Sequence, residues 1–202
     1  MKIALFGTSA DPPTAGHQAI LSWLCSKYDR VAVWAADNPF KSHQASLSHR
    51  AAMLESLIND LKTNLKTSNN IALEQDLSSL RTIETLAKAR ERWGDETEFT
   101  LVVGSDLIAQ LPRWYQASKL LQQVKLLVVP RPGYAINQSS LEAIQNIGGE
   151  IAIANLTGPD VSSTDYRKNG NLENLTPSVA AYILIEHLYE CQDNSNENLQ
   201  VQ

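Results

Sequence analysis

Cysteine is scarce in this chain, and long apolar runs are missing. The 202 residues include only two cysteines, Cys25 and Cys191, which lie far apart and form no CxxC pair. This pattern indicates neither a disulfide framework nor a thiolate zinc site, and it favours a reducing cytoplasm. The apolar run 3–6 is too short for a signal-peptide core, and no stretch approaches the roughly 18 apolar residues of a membrane helix.

An excess of positive charge is absent as well. The 17 Lys and Arg residues are outnumbered by 22 Asp and Glu, and the formal net charge is -5. Nonspecific binding to nucleic acid or to a membrane surface requires clustered cations facing phosphates, so we expect neither partner. Four Trp and six Tyr leave a small base-stacking patch as an alternative.

Length and hydrophobic content predict a single domain over 1–191. The polar segment 192–202 has no periodicity, and we expect a disordered tail there. The sequence does not determine whether the domain forms a homo-oligomer.

Short apolar runs alternate with longer helical patterns along the domain. The predicted strands are 2–6, 31–35, 71–74, 99–103, 125–129 and 151–154. The predicted helices are 16–27, 48–61, 80–93, 105–110, 115–122, 139–146, 164–168 and 177–189. This alternation is typical of parallel βαβ units. The expected fold is therefore α/β, a Rossmann-like doubly wound parallel sheet of about six strands with helices on both faces.

Short sequence patterns indicate which strands are central and where helices begin. The runs 101–103 and 126–129 are apolar on both faces, which predicts central strands. Ser48 can cap the second helix, and Thr176 can cap the last helix, with Pro177 tolerated in its first turn.

The loop 6–17 between the first strand and the first helix contains the most informative residues. Ligands bind at the carboxyl end of the strands in open α/β sheets, and a helix N-terminus offers free N–H groups to an anion. Thr14 and His17 lie three residues apart, so both side chains can face one site. This loop predicts polyphosphate binding, with an ordinary helix cap as the alternative reading of the histidine.

Two distant motifs extend this interpretation. Thr14-Ala15-Gly16-His17 resembles the (His/Thr)-x-Gly-His signature of the nucleotidyltransferase superfamily, and Ser162-Ser163-Thr164-Asp165-Tyr166-Arg167 resembles its Ser-Ser-Thr-x-x-Arg signature. Asn38-Pro39-Phe40-Lys41, Gly104-Ser105-Asp106, Pro112-Arg113-Trp114-Tyr115 and Arg131-Pro132-Gly133-Tyr134 follow the order found in bacterial nicotinate mononucleotide adenylyltransferases. The resemblance covers almost the whole chain.

The resemblance implies transfer of AMP from ATP to nicotinate mononucleotide, which gives nicotinate adenine dinucleotide and pyrophosphate in NAD biosynthesis. It implies four catalytic residues, namely His17, Thr14, Lys41 and Arg167. It implies ATP contacts at Gly7, Thr8, Gly16, His17, Gly104, Asp106, Ser163, Thr164 and Arg167. It implies contacts to the pyridine nucleotide at Lys41, Arg81, Thr82, Trp114, Tyr115 and Arg131.

Several of these residues have a plain structural alternative. Ser162, Ser163 and Thr164 form an N-cap cluster on local sequence alone, and Asp106 suits a helix cap as well as a ribose. Trp114, implied to stack on the pyridine ring, could instead pack in the core.

The ATP polyphosphate implies Mg²⁺. The sequence shows no cluster of Asp, Glu or His with metal-ligand spacing, so we expect the ion to be held by phosphates and water. His43 and His49 lie six residues apart, and we interpret them as a solvated loop and a helix start.

The chain departs from the commonest family pattern in ways that bear on specificity. Thr14 replaces the usual first histidine, Ser9-Ala10 replaces Thr-Phe, and Phe40-Lys41 stands where Pro-His-Lys is usual. Arg81 takes the place of an aromatic residue in the segment that helps to form the nicotinate pocket in relatives. Arg81 either pairs with the nicotinate carboxylate or lies on a solvent face, in which case nicotinamide mononucleotide is also accepted.

The rival functions are phosphopantetheine adenylyltransferase and a noncatalytic nucleotide sensor.

Overall fold

Strands and helices alternate along the chain, as the apolar pattern predicts. The computed structural model describes residues 1–37, 44–65, 70–156 and 158–189. Its strands are β1 (Lys2–Thr8), β2 (Arg30–Ala35), β3 (Ile71–Leu73), β4 (Glu98–Gly104), β5 (Lys125–Val129) and β6 (Glu150–Ile153). Its α-helices are α1 (Ala15–Cys25), α2 (Leu47–Leu65), α3 (Thr82–Trp93), α4 (Ala117–Leu121), α5 (Gln138–Asn146), α6 (Ser163–Asn169) and α7 (Pro177–Ile185).

The strands form one six-stranded sheet in the order β3-β2-β1-β4-β5-β6. The pairings are parallel, and Leu5 of β1 lies opposite Ala32 on one side and Leu101 on the other. Successive strands therefore build outward from β1 in one direction and from β4 in the other. The crevice beyond the carboxyl ends of β1 and β4 is the switch point at which such sheets bind ligands.

The alternating side chains of β1 supply two separate cores. Ala4 and Phe6 join a cluster that includes residues of α1, α2 and α7, whereas Ile3 and Leu5 join a cluster that includes residues of α3, α4 and α5. Helices thus cover both faces of the sheet. The doubly wound parallel sheet and the central positions of β4 and β5 are confirmed.

Helix ends differ from the sequence prediction. The expected Ser48 cap is wrong, because α2 begins at Leu47 and the His49 N–H donates to Ser46 Oγ at 3.3 Å. Pro177 opens α7 as predicted, but the Thr176 side chain makes no cap hydrogen bond. Short 3₁₀ turns, Ser105–Leu107 and Leu111–Arg113, replace the predicted helix 105–110.

Some sequence predictions fall outside the described residues. Lys41, His43, Cys191 and the expected disordered tail 192–202 are among them. Across the residues that are described, the helices are too short or too polar to span a bilayer.

Candidate functional site

The first loop brings three predicted site residues together at the end of β1. Thr14 caps α1, and its backbone N–H donates to His17 Nδ1 at 3.1 Å. Since an amide can only donate, Nδ1 is an acceptor, and the proton of the neutral imidazole is on Nε2. Nε2 lies 3.0 Å from Thr8 Oγ1. Thr8, Thr14 and His17 therefore converge as the first signature predicts.

The environment of His17 keeps its ring uncharged. Burial and, to a smaller extent, the positive charge of Arg131 together lower the pKa of His17 from 6.5 to about 4. At pH 7 the imidazole is thus a neutral N–H donor. A neutral imidazole N–H can donate a hydrogen bond to a phosphate oxygen and keep its proton.

The second signature lies against the first. Ser163 Oγ donates to the Pro12 carbonyl at 2.7 Å, although the two residues are 151 positions apart. A methyl group at Gly16 would lie 3.5 Å from Val161 Cγ2, just before α6. The plain capping alternative holds for Ser162 alone, whose Oγ accepts the Asp165 N–H at 3.0 Å. The two motifs form one site.

Arg167 reaches the first loop from the second turn of α6. Its Nη1 donates to the carbonyl of Asp11 and lies 3.9 Å from the Asp11 carboxylate. Its Nη2 lies 3.3 Å from Thr164 Oγ1. Arg167, Thr164 and Ser163 therefore place a positive charge and two hydroxyls beside the loop that ends at His17.

Two buried charged residues that sequence reasoning missed hold this loop. Asp11 is 2% exposed and accepts the Gln44 N–H at 2.9 Å and the Ala45 N–H at 3.1 Å. Arg50 is 1% exposed and donates to the carbonyls of Ser9 and Ala36, each at 2.8 Å. Both residues fix the backbone on either side of the site.

A sequence signal for Arg50 was available. It shares the apolar stripe of α2 with Met53, Leu54 and Leu57, at the spacing i, i+3, i+4 and i+7. An arginine on the buried face of a helix needs acceptors inside the protein. Burial lowers its pKa from 12.5, against the opposing effect of the Asp11 carboxylate.

Gly104 and Asp106 follow β4 at the same edge of the sheet. The capping alternative for Asp106 is wrong, because this residue lies inside the 3₁₀ turn and its Oδ2 accepts from Arg131 Nη1 at 3.0 Å. Asp106 Oδ1 is buried and has no hydrogen-bond partner within the part of the chain that the structure describes. A Cβ on Gly104 would clash with that oxygen and with the Arg131 side chain, so glycine lets both side chains keep these positions.

The turn 131–134 orients Arg131. Pro132 and Gly133 occupy its centre, and Gly133 has a φ of 78°, as a type II turn requires. The Arg131 N–H donates to Ser105 Oγ at 2.9 Å, and Ser105 Oγ donates to the Tyr134 carbonyl at 2.8 Å. Ser105 thereby joins the turn to the end of β4.

Four of the predicted contacts to the pyridine nucleotide form a second group, whereas Arg131 lies against Asp106. The Arg81 guanidinium stacks on the Tyr115 ring, with its central carbon 3.8 Å from the ring centroid. Both side chains are exposed, whereas Thr82, the first residue of α3, is half-buried. Trp114 is half-buried and packs against the core that includes residues of α3, α4 and α5, so it is not a full core residue.

Gly7 and Lys41 are the remaining predicted site residues. A Cβ on Gly7 would lie 2.5 Å from the Trp34 ring, so packing requires this glycine whatever else it contacts. Lys41 lies outside the described residues. Among the residues that are described, no three His, Cys, Asp or Glu side chains converge as metal ligands. His49 is in the first turn of α2, and its Nδ1 lies 3.0 Å from the Tyr182 hydroxyl.

Comparison with known proteins adds sequence relatives. The cytidylyltransferase-like family model matches residues 5–169. A probable nicotinate-nucleotide adenylyltransferase of Synechocystis sp. is 44% identical, and the match covers 94% of this chain and 99% of that protein. A protein of the same description from Gemmatimonas aurantiaca is 30% identical, with coverage of 94% and 92%.

Solved structures share the fold. The nicotinic acid mononucleotide adenylyltransferase of Plasmodium falciparum, complexed with NaAD, is similar with a TM-score of 0.75 at 22% identity. The match covers 93% of this chain and 97% of that one. The same protein complexed with APC gives a TM-score of 0.72.

Proposed function

The chain belongs to the cytidylyltransferase-like family and, within it, to the nicotinate-nucleotide adenylyltransferases, and from this premise we propose that it transfers AMP from ATP to nicotinate mononucleotide. The products are nicotinate adenine dinucleotide and pyrophosphate, in NAD biosynthesis. The observation that carries the proposal is the junction of the two signatures at the switch point of the sheet, where His17, Ser163 and Arg167 meet around one loop.

The reaction needs positioning more than it needs an enzyme nucleophile. An oxygen of the mononucleotide 5′-phosphate forms the new bond to the α-phosphorus of ATP, and the bond from that phosphorus to the bridging oxygen of pyrophosphate breaks. With a second pKa of about 6, the attacking phosphate is mostly a dianion at pH 7, so no general base is required. Catalysis then consists of holding both anions in line and stabilising charge on the leaving pyrophosphate.

The described side chains suit that task in three groups. His17 Nε2 and the Thr14 hydroxyl donate to the ATP phosphates, with Thr8, Gly7 and Gly16 shaping the loop. Ser163, Thr164 and Arg167 hold the β- and γ-phosphates. Gly104 and Asp106 receive the ribose, because the buried Asp106 Oδ1 has no other partner among the described residues and carboxylates accept from vicinal hydroxyls.

We propose that Lys41 and Arg131 contact the substrate phosphate and that Trp114 stacks on the pyridine ring. Arg131 comes from the turn 131–134 after β5, and Arg167 comes from α6. Together they would balance part of the negative charge that accumulates when both nucleotides bind.

Magnesium belongs to the proposal through ATP. The donors and cations around the first loop suit phosphate oxygens and do not form a ligand set for Mg²⁺. We infer that the ion is held mainly by the phosphates and water, where it would neutralise charge on the polyphosphate.

Cysteine usage supports a cytoplasmic enzyme, and the fold supports a single domain over 1–191.

Arg81 bears on the choice between the acid and the amide. Its guanidinium is exposed and held flat against Tyr115, next to Trp114. A planar guanidinium can take a carboxylate through two parallel hydrogen bonds, which a neutral carboxamide cannot match. We therefore propose that Arg81 favours nicotinate mononucleotide over nicotinamide mononucleotide.

An Arg81→Ala variant tests this preference. The ratio of kcat/KM for nicotinate mononucleotide to kcat/KM for nicotinamide mononucleotide should fall about tenfold, because one charge-assisted interaction is lost. Arg113→Ala removes another exposed arginine nearby and should leave the ratio unchanged. An unaltered ratio in Arg81→Ala would assign Arg81 to the solvent face.

A pyrophosphate-release assay tests the activity itself. Protein, ATP and Mg²⁺ are combined in separate wells with nicotinate mononucleotide, nicotinamide mononucleotide and 4′-phosphopantetheine. Release with a pyridine nucleotide is expected. Release with phosphopantetheine alone would transfer the chain to the rival enzyme, and no release from folded protein would favour a nucleotide sensor.

A further inference from the structure

A tyrosine from the C-terminal part of the described chain reaches the phosphate loop. After α7 ends, Tyr189 Oη donates to Asp11 Oδ1 at 2.6 Å, across 178 positions of sequence. Burial and the Asp11 carboxylate together raise the pKa of Tyr189 far above its ordinary value. The phenol therefore stays protonated and acts as a hydrogen-bond donor at any physiological pH.

Asp11 links the parts of the site that must be aligned for a triphosphate. Its carboxylate receives amides from the segment before α2, and its carbonyl accepts from Arg167 of α6. The next residue, Pro12, accepts from Ser163. A change in the orientation of Asp11 would therefore shift Arg167 and the loop that carries Thr14 and His17.

The surroundings of Tyr189 hold its ring in one place. Tyr189 and His187 have φ angles of 63° and 50°, in the left-handed region that residues other than glycine rarely adopt. The Leu188 N–H donates to the Ile183 carbonyl at 3.0 Å, which closes the turn back onto α7. The Tyr189 ring packs edge-on against Tyr166, with centroids 5.8 Å apart and planes at 88°. Such a backbone persists only where neighbouring contacts determine it.

We propose that Tyr189 is a positioning residue for phosphate binding, which acts through Asp11 to set Arg167 and the first loop for the triphosphate of ATP. Tyr189 itself need not touch the nucleotide. This inference rests on the proposed function for the identity of the triphosphate, and it adds a residue that neither signature contains.

Tyr189→Phe is the test, because it removes one hydroxyl and keeps the ring on Tyr166. Tyr182→Phe is a matched control: it removes a hydroxyl from α7 that lies 3.0 Å from His49 Nδ1, on α2. Calorimetric titration with a nonhydrolysable ATP analogue and with adenosine measures the two halves of the nucleotide site. Thermal melts show that both variants are folded.

In Tyr189→Phe, we expect the ATP analogue to bind about tenfold more weakly, the size of one lost hydrogen bond to a charged group. Adenosine binding should stay within about twofold, because Gly104 and Asp106 follow β4 and Asp106 is held by Arg131. Tyr182→Phe should leave both affinities within about twofold. Amide exchange over residues 7–17 should be faster in Tyr189→Phe alone.

Unchanged binding of the analogue in Tyr189→Phe would overturn the proposal. Equal weakening in both variants would also overturn it, since the effect would then be one of general stability. The binding measurement involves no acceptor, so it can succeed even if every well of the pyrophosphate-release assay is silent. Failure of the positioning role and failure of the proposed reaction are thus distinguishable.

Discussion

At the scale of single residues, the structure explains how a histidine serves as a neutral donor. The Thr14 amide fixes the tautomer of His17 through Nδ1, and burial disfavours the charged ring. The sequence predicted His17 as a phosphate contact but not its protonation state. That state depends first on the burial of the ring and second on the charge of Arg131, which is 114 positions away in the sequence, and both follow only from the folded structure.

His17→Ala should reduce kcat by at least roughly 100-fold, the size expected for one preorganised contact to charge that develops in the transition state. Steady-state kinetics with ATP and nicotinate mononucleotide measures the loss. His49→Ala removes another histidine from the first turn of a helix and should keep nearly full activity. Turnover similar to that of the unmodified chain in His17→Ala would remove His17 from the site.

The lowered pKa of His17 gives a pH dependence with a definite sign. Between pH 6.5 and about 4 the unfolded chain binds a proton at His17 that the folded chain does not. The free energy of unfolding should therefore rise with pH across this window, and the contribution of neutral His17 is lost as pH falls through it. Ring NMR resonances without added nucleotide should titrate near pH 4.

His17→Gln provides the comparison for this titration. Its unfolding free energy should depend less steeply on pH between 4 and 6.5 than that of the unmodified chain. A His17 resonance that titrates near 6.5 would contradict the environment described for the ring.

At the scale of secondary-structure elements, α2 shows what one buried charge does for a loop. Arg50 lies on the apolar face of α2 and gathers the carbonyls of Ser9, Ala36 and Ala45. Ser9 belongs to the first loop, Ala36 follows β2 and Ala45 precedes α2, so the guanidinium joins three segments. Without the guanidinium they would be left unpaired in a region poor in water, and unpaired buried acceptors are destabilising.

Arg50→Met should lower the free energy of unfolding by about 3 kcal/mol, because the methionine stem fills part of the space but supplies no donors. Urea unfolding followed by circular dichroism measures the change. Arg113→Met, at an exposed position, should stay within about 0.5 kcal/mol of the unmodified chain. A loss below about 1 kcal/mol in Arg50→Met would mean that water replaces the guanidinium.

The elements also show where sequence reasoning succeeds and where it stops. Apolar periodicity is local, so all six strands were placed within a few residues and β4 and β5 were assigned to the centre correctly. Helix ends depend on which polar side chain accepts a free backbone N–H of the first turn. In α2 this acceptor is Ser46, not the predicted Ser48. Within the predicted helix 105–110 the structure has only the 3₁₀ turn Ser105–Leu107, and Pro112, which lacks an amide donor, lies in the next turn.

The candidate site, like the fold, could be predicted from the sequence only in part. Both signatures could be read from the sequence, because each keeps its residues within a few positions of one another. Tyr189 could not, since its contact with Asp11 exists only after the whole sheet and α7 have been assembled. The assignment of individual residues to ATP and to the pyridine nucleotide stays a prediction.

At the scale of the whole molecule, ligand binding and folding are linked through the junction of the two signatures. Arg167 and Ser163 of α6 contact the first loop, so an anion held between α6 and this loop would favour the folded state by mass action. This gives a test of the phosphate site that needs no acceptor substrate.

Pyrophosphate at 100 times its Kd should raise the free energy of unfolding by about 2.7 kcal/mol and Tm by about 5–10 °C. Differential scanning fluorimetry measures the shift, with sodium chloride at matched ionic strength as the control. Arg167→Met should lose most of the shift. An equal shift in both proteins would mean that pyrophosphate binds elsewhere or acts as a general salt.

The junction of the first loop with α6 and Tyr189 also bears on synthesis by the ribosome. The loop that ends at His17 emerges early, whereas Ser163, Arg167 and Tyr189 follow about 150 residues later. Throughout that interval a nascent chain lacks the partners that close the loop, whatever part of the sheet has already formed. A translation product that stops before 163 would lack these contacts, and we expect it to bind ATP more weakly than the finished chain.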